Sequence, residues 1–186
     1  MMYYWFDHPV EDEFAPDCYD LSDESFKLLI QTCIKYCAAF SVRIYRDNTD
    51  GLAALESFRI PLQKFALDAY SQYQYRRDFS GLKKIDLTKE IRLYRVCPEL
   101  YDAIMQVSDS LFEWCAIWEY NNPEDPIFYR KDGSVFFYSC IHEGESFLNV
   151  RPDEDVDALI SAVPWGVVDD TWPQPCIPPW DIEENC

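Results

Sequence analysis

The chain has 186 residues, with 34 acidic against 16 basic side chains and a formal charge of −18. Such a balance argues against a general nucleic-acid binder, which needs lysine and arginine to displace counterions from phosphates, and against docking on anionic membrane. Hydrophobic residues make up 48% and aromatics 17%, enough for a folded core and unlike a disordered chain.

Residues 1–8, MMYYWFDH, have no basic leader, and their apolar run is too short for a signal peptide. No apolar stretch approaches the roughly 18–20 residues that span a bilayer. A cytoplasmic location is expected. The acidity belongs to the two ends. Residues 1–25 hold eight acids and residues 152–186 hold nine, with no lysine or arginine in either segment. The middle sets the remaining 17 acids against all 16 bases.

Residues 7–21 read as an acidic loop broken by Pro9 and Pro16. Ser22 then has the character of an N-cap, with Asp23 and Glu24 in the first turn, where the helix dipole favours negative charge. Phe26, Leu29, Ile30, Cys33 and Cys37 follow at helical spacing, which predicts a helix over 23–37. Residues 39–45 alternate as a strand and end at Asp47–Gly51. Helix is expected at 52–58 and again over 61–77, carried by Leu62, Phe65, Ala66, Ala69, Tyr70 and Tyr73. The one basic cluster, Arg76, Arg77, Lys83, Lys84, Lys89, Arg92 and Arg95, is expected to pair with the acidic ends rather than with nucleic acid.

A short strand over 91–94 precedes a helix opened by Pro98, with Leu100, Ala103, Ile104 and Val107 on one side. Residues 111–120 read as a strand or a buried helical turn. Asn121–Pro126 is a turn, 127–130 a short strand, and Asp132-Gly133 the centre of a primed hairpin turn. Residues 134–141 carry apolar groups on both faces, which predicts a central strand. A strand over 146–150 and a helix over 153–162 complete the body.

From Pro164 onward the chain holds five of the twelve prolines and three of the six tryptophans. Proline forbids helix there, and free tryptophans would make an unusual exposed apolar patch. The segment is expected to lie extended across the body. The expected fold is therefore α+β: one domain over 1–163, an antiparallel sheet of four to six strands dominated by 111–150, helices packed on it with 23–37 and 153–162 covering one face, and a Pro/Trp-rich extension over 164–186.

The five glycines, at 51, 81, 133, 144 and 166, form neither a dinucleotide fingerprint nor a phosphate loop. There is no G-x-S-x-G elbow and no H-E-x-x-H. Of the eight cysteines only Cys33-x₃-Cys37 comes near metal spacing, and no second pair follows, so no metal or other cofactor is expected and the thiols read as reduced core residues. His142, beside Glu143 and Glu145, is the best candidate for a reactive group, since a neighbouring carboxylate raises an imidazole pKa and orients the ring.

Trp118-Glu119-Tyr120, Pro123-Glu124-Asp125, Phe128-Tyr129, Asp132-Gly133 and His142-Glu143 give the run 111–162 a cadence that resembles small bacterial proteins of the immunity type. That resemblance implies an acidic cytoplasmic protein that binds and blocks a toxin, often a basic one. The function expected from the sequence is a non-enzymatic binding or inhibitor protein for a basic protein partner, contacting it through Glu119, Glu124, Asp125, His142, Glu143, Trp172 and Trp180. Two alternatives stand beside it: a small hydrolase or transferase using His142 with Glu143 or Glu145, and an adaptor whose Pro/Trp-rich tail is the ligand.

Overall fold

The computed structural model describes residues 2–7, 21–45, 58–67, 74–77, 83–86, 89–111, 113–114, 123–140, 145–163 and 165–168. The fold is α+β. Along the chain come β1 (Met2–Asp7), α1 (Asp23–Tyr36), β2 (Ala39–Tyr45), β3 (Gln74–Arg77), β4 (Lys83–Asp86), β5 (Lys89–Arg95), α2 (Leu100–Met105), β6 (Glu124–Tyr129), β7 (Val135–Cys140), β8 (Glu145–Val150), α3 (Asp157–Ala162) and β9 (Gly166–Val168). Seven strands form one sheet in the order β5-β2-β6-β7-β8-β1-β9, and β3 pairs with β4 in a separate ribbon. Every pairing is antiparallel.

Side chains alternate across a strand, so the register decides which residues share a face. One row crosses the sheet as Tyr94, Phe40, Phe128, Phe137, Leu148 and Tyr4. Phe40 stacks on Tyr94 at 4.9 Å and on Phe128 at 5.2 Å between centroids. Phe128 meets Phe137 at 6.3 Å. This row faces the helices. Phe26, Leu29, Ile30 and Cys33 of α1, Leu100, Ala103 and Ile104 of α2, and Leu159 of α3 are buried in the same cluster. As expected from the sequence, the first and last helices lie on one face, and α1 runs with the bounds its apolar spacing predicts, to within one residue. The opposite face has a smaller cluster of Ala39, Leu93, Tyr129 and Val135. β7 lies fourth of seven strands, and Val135, Phe136 and Phe137 are all buried, which is the two-sided burial its composition requires.

The sheet has seven strands rather than four to six. The additional strands are β1 and β9, and β1 lies between β8 and β9. Its sequence, MYYWFD, puts aromatics at consecutive positions, so it shows no alternation to read. Helix does not extend over 61–77. Residues 58–62 are helical and Gln63–Phe65 a 3₁₀ turn, but Ala66 bridges Tyr94 and the Leu67 amide donates to the Leu93 carbonyl at 2.9 Å, which docks this stretch on the edge of β5. Residues 74–77 are strand. The last helix starts at Asp157, not 153, because Glu154 turns inward to meet Arg130. Most of the 52–58 and 111–120 stretches and of the 164–186 extension lie outside the described residues. Within the extension, Trp165 packs against the main cluster and its indole donates to the Leu159 carbonyl at 3.2 Å.

The β6–β7 hairpin turns differently from the primed form. Only Gly133 has positive φ there, at 79°, while its amide donates to the Arg130 carbonyl at 2.9 Å and Arg130 donates to Ser134 at 2.8 Å. The register shifts beside it, between Phe128 and Tyr129. This is an ordinary turn closed by a left-handed glycine and a bulge. A Cβ at Gly133 meets nothing within 4 Å, so Gly133→Ala costs only backbone strain. We expect a loss of about 1–2 kcal/mol in urea unfolding from the left-handed conformation alone. A neutral result contradicts that turn geometry.

Candidate functional site

Three polar constellations occur among the described residues. The first is a clasp at the β6–β7 turn. Arg130, at the end of β6, is 4% exposed and Glu154 6%. The Arg130 guanidinium donates to both Glu154 oxygens at 2.5 and 2.7 Å, to the Val135 carbonyl at 2.6 Å and to the Asn149 carbonyl. It also lies 5.1 Å over the Phe136 ring. Glu154 accepts from the Arg151 amide at 2.7 Å. Burial works to raise the Glu154 carboxyl, but the bonds from Arg130 and the Arg151 backbone outweigh it and hold the group below the usual carboxylate range. Asp132 is held far below that range by the Ser134 hydroxyl and Arg151. The clasp ties three strands, the hairpin turn and the approach to α3 together.

The second lies on the face away from the helices. The Ser41 and Tyr129 hydroxyls are 2.8 Å apart, and Arg43 donates to Asp125 at 2.7 Å. Asp125 has φ of 51°, at the register shift between β2 and β6. Aspartate is one of the few side chains that tolerate this conformation. Burial pushes the Tyr129 phenol up to about 12. A phenol raised in the folded state stays neutral there, so its stabilisation is present below pH 10 and is lost as pH rises through 12. Absorbance titration at the phenolate band should show a component near pH 12 that the Tyr129→Phe variant lacks. If the wild type and variant titrate identically, Tyr129 is not in this environment.

The third is the outer surface of the helical layer. The Asp23 amide donates to the Asp109 carbonyl at 2.9 Å, and Asp109 bonds Glu113 at 3.3 Å through its own amide. Asp23, Glu24, Asp109 and Glu113 therefore gather at the start of α1. At its other end the Tyr36 hydroxyl bridges the backbone of Asp155, at 2.8 Å to the amide and 3.1 Å to the carbonyl. That contact brings Asp153, Asp155 and Asp157 to the end of α1. Apart from the half-buried Glu113, all these acids are exposed, as is Asp102 on α2. Lys27 pairs with Glu24 at 2.7 Å, and Lys35 stands near Asp155. A rod of fourteen residues, about 21 Å long, thus carries acids at both ends.

Of the residues singled out in the sequence, Asp125 is placed most fully. Its side chain is 1% exposed and paired with Arg43 inside the fold. Glu124 opens β6 opposite Arg43, and Glu145 opens β8 opposite Cys140 and Asp7. Glu119, His142, Glu143, Trp172 and Trp180 lie outside the described residues. The sequence reading placed Arg130, Ser41, Arg43 and Tyr129 on strands and gave none of them a site role. The signal available for Arg130 was a charged residue ending a strand otherwise apolar from Pro126 to Tyr129. Cys33, Cys37 and Cys97 are thiols, and burial pushes Cys33 well up, so it is a packing group rather than a nucleophile. Among the described residues no cluster of three or more His, Cys, Asp or Glu stands ready for a metal ion, and no helix is long and apolar enough to cross a membrane. No family model, curated protein or solved structure matches the chain.

Proposed function

We propose that the protein is a non-enzymatic binding protein that receives a basic protein partner on the outside of its helical layer, in the manner of an immunity protein blocking a toxin. The observation that carries this reading is the pair of acidic clusters at the two ends of α1, held there by the Asp23–Asp109 and Tyr36–Asp155 contacts. Opposite charge at that separation speeds encounter with a basic surface and fixes its orientation, while exposed charges cost the fold little. The clasp and the Ser41–Tyr129 pair serve the fold instead, since their groups are bonded within it.

The test is retention of a partner on the immobilised chain, released by a rising salt gradient. A basic protein should elute at moderate ionic strength, because screening shortens the reach of exposed charge to about 8 Å near physiological salt. The Asp153→Asn, Asp155→Asn, Asp157→Asn triple variant should lower its affinity by about tenfold without changing the free energy of unfolding by more than the roughly 0.5 kcal/mol usual for surface changes. Retention that ignores both salt and the triple variant contradicts the reading.

A further inference from the structure

The Cys33-x₃-Cys37 pair takes no part in the binding surface, and its geometry suits a different task. Cys33 is fully buried in the main cluster, and the half-buried Cys37 packs against the same cluster. Both are free thiols. Cys37 caps α1, and its amide donates to the Cys33 carbonyl at 2.8 Å, so helical spacing holds through the cap. Residues four apart on a helix set their Cβ atoms about 5–6 Å apart. A disulfide needs about 3.5–4.5 Å, so the pair is too wide to close on itself without moving the helix end. The two side chains nonetheless lean together. Burial pushes the Cys33 thiol well up, and a hydrogen bond with the Cys37 thiol adds to the shift.

A cation bonded to two sulfurs fits between them. Metal–thiolate bonds are about 2.3 Å long, so two in line set the sulfurs about 4.6 Å apart. The surroundings select the ion. Zinc takes four ligands, and among the described residues no third His, Cys, Asp or Glu joins the pair in a metal-binding group. A hard cation bonds sulfur too weakly to displace a proton that burial holds on Cys33. A soft monovalent ion of low coordination number meets both limits, and thiolates select Cu(I). We propose that Cys33 and Cys37 form a two-coordinate site for Cu(I), entered past the half-buried Cys37 at the end of α1. Both thiol protons leave to solvent, two Cu–S bonds form, and the copper stays cuprous. The bound pair carries one negative charge, shared by two sulfurs around a cation, which costs less to bury than a bare thiolate. The site lies on the core side of α1 and stands whether or not the binding function does.

The rate at which N-ethylmaleimide alkylates Cys37 tests this. It is read by peptide mass mapping on the reduced full-length chain under anaerobic conditions, with Cu(I) supplied from its bicinchoninate complex. Copper should slow alkylation at Cys37 severalfold, and the same amount of Zn(II) should leave the rate unchanged. In the Cys33→Ala variant, checked for the folded circular-dichroism spectrum, copper should no longer protect Cys37. The Cys37→Ser variant, changed at a half-buried position, provides a second readout: it should withdraw one equivalent less copper from bicinchoninate than wild type. Unchanged alkylation of wild-type Cys37 in copper overturns the site. So do protection that survives Cys33→Ala, zinc that protects as well as copper, or equal copper uptake by wild type and Cys37→Ser.

Discussion

Replacing Glu154 by alanine should lower the free energy of unfolding by about 3–5 kcal/mol, because it strands the Arg130 guanidinium in a site only 4% exposed. The loss reflects a buried charge left without its counterion more than the worth of the pair itself. The Arg130→Met, Glu154→Leu double variant should therefore recover most of it, since apolar groups of similar size remove both desolvation costs. Urea unfolding of the three chains separates the two statements. A single variant within about 1 kcal/mol of wild type means the pair is not buried as described. The same pair sets an acid limit. The folded carboxyl of Glu154 lies below its usual range, so the native state holds its proton less tightly than the unfolded chain does. Its contribution is complete above the unfolded value of about 4.3 and is lost as pH falls through the folded value. Between pH 6 and pH 3 the wild-type midpoint should fall more steeply than that of the double variant.

Phe40→Ala should cost a similar amount, about 3–5 kcal/mol. Phe40 is fully buried and touches three aromatic neighbours, stacking on Tyr94 and Phe128 and meeting Trp114 edge-on at 6.3 Å. Truncation removes the transfer energy of the ring, opens a cavity between sheet and helices, and forfeits pair terms of about 0.5–1.5 kcal/mol each. Phe40→Leu keeps most of the apolar volume and should lose less than half as much. If Phe40→Ala unfolds within about 1 kcal/mol of wild type, the aromatic row is not the centre of the core.

Local pattern carried much of this architecture. The 3–4 spacing from Phe26 to Cys33 specified α1, and the alternation of Phe40, Val42 and Ile44 specified β2 to the residue. The two apolar faces of 134–141 foretold a central strand. What escaped reading depends on distant partners. β1 is a strand because β8 and β9 flank it, and β9 has only three residues. The helical spacing of Leu62 and Phe65 extends no further than Phe65, since pairing with β5 then takes the backbone. Arg130 and Glu154 stand 24 residues apart, one read at the end of a strand and the other at the start of a helix, and nothing local pairs them. The candidate site was legible only as a charge count. Acid-rich ends were visible in the sequence, but the placement of acids at both ends of α1 comes from the Asp109 and Tyr36 contacts, which no periodicity encodes.

The most direct measurement is the association rate of the chain with its isolated partner across a range of ionic strength, for wild type and for a variant with Asp23, Glu24, Asp109, Asp153, Asp155 and Asp157 neutralised to the corresponding amides. Charge steering from the helical layer predicts a wild-type rate that falls by at least tenfold between low and physiological salt, and a variant rate that is slow and nearly flat. Equal rates with equal salt dependence for the two chains would contradict it.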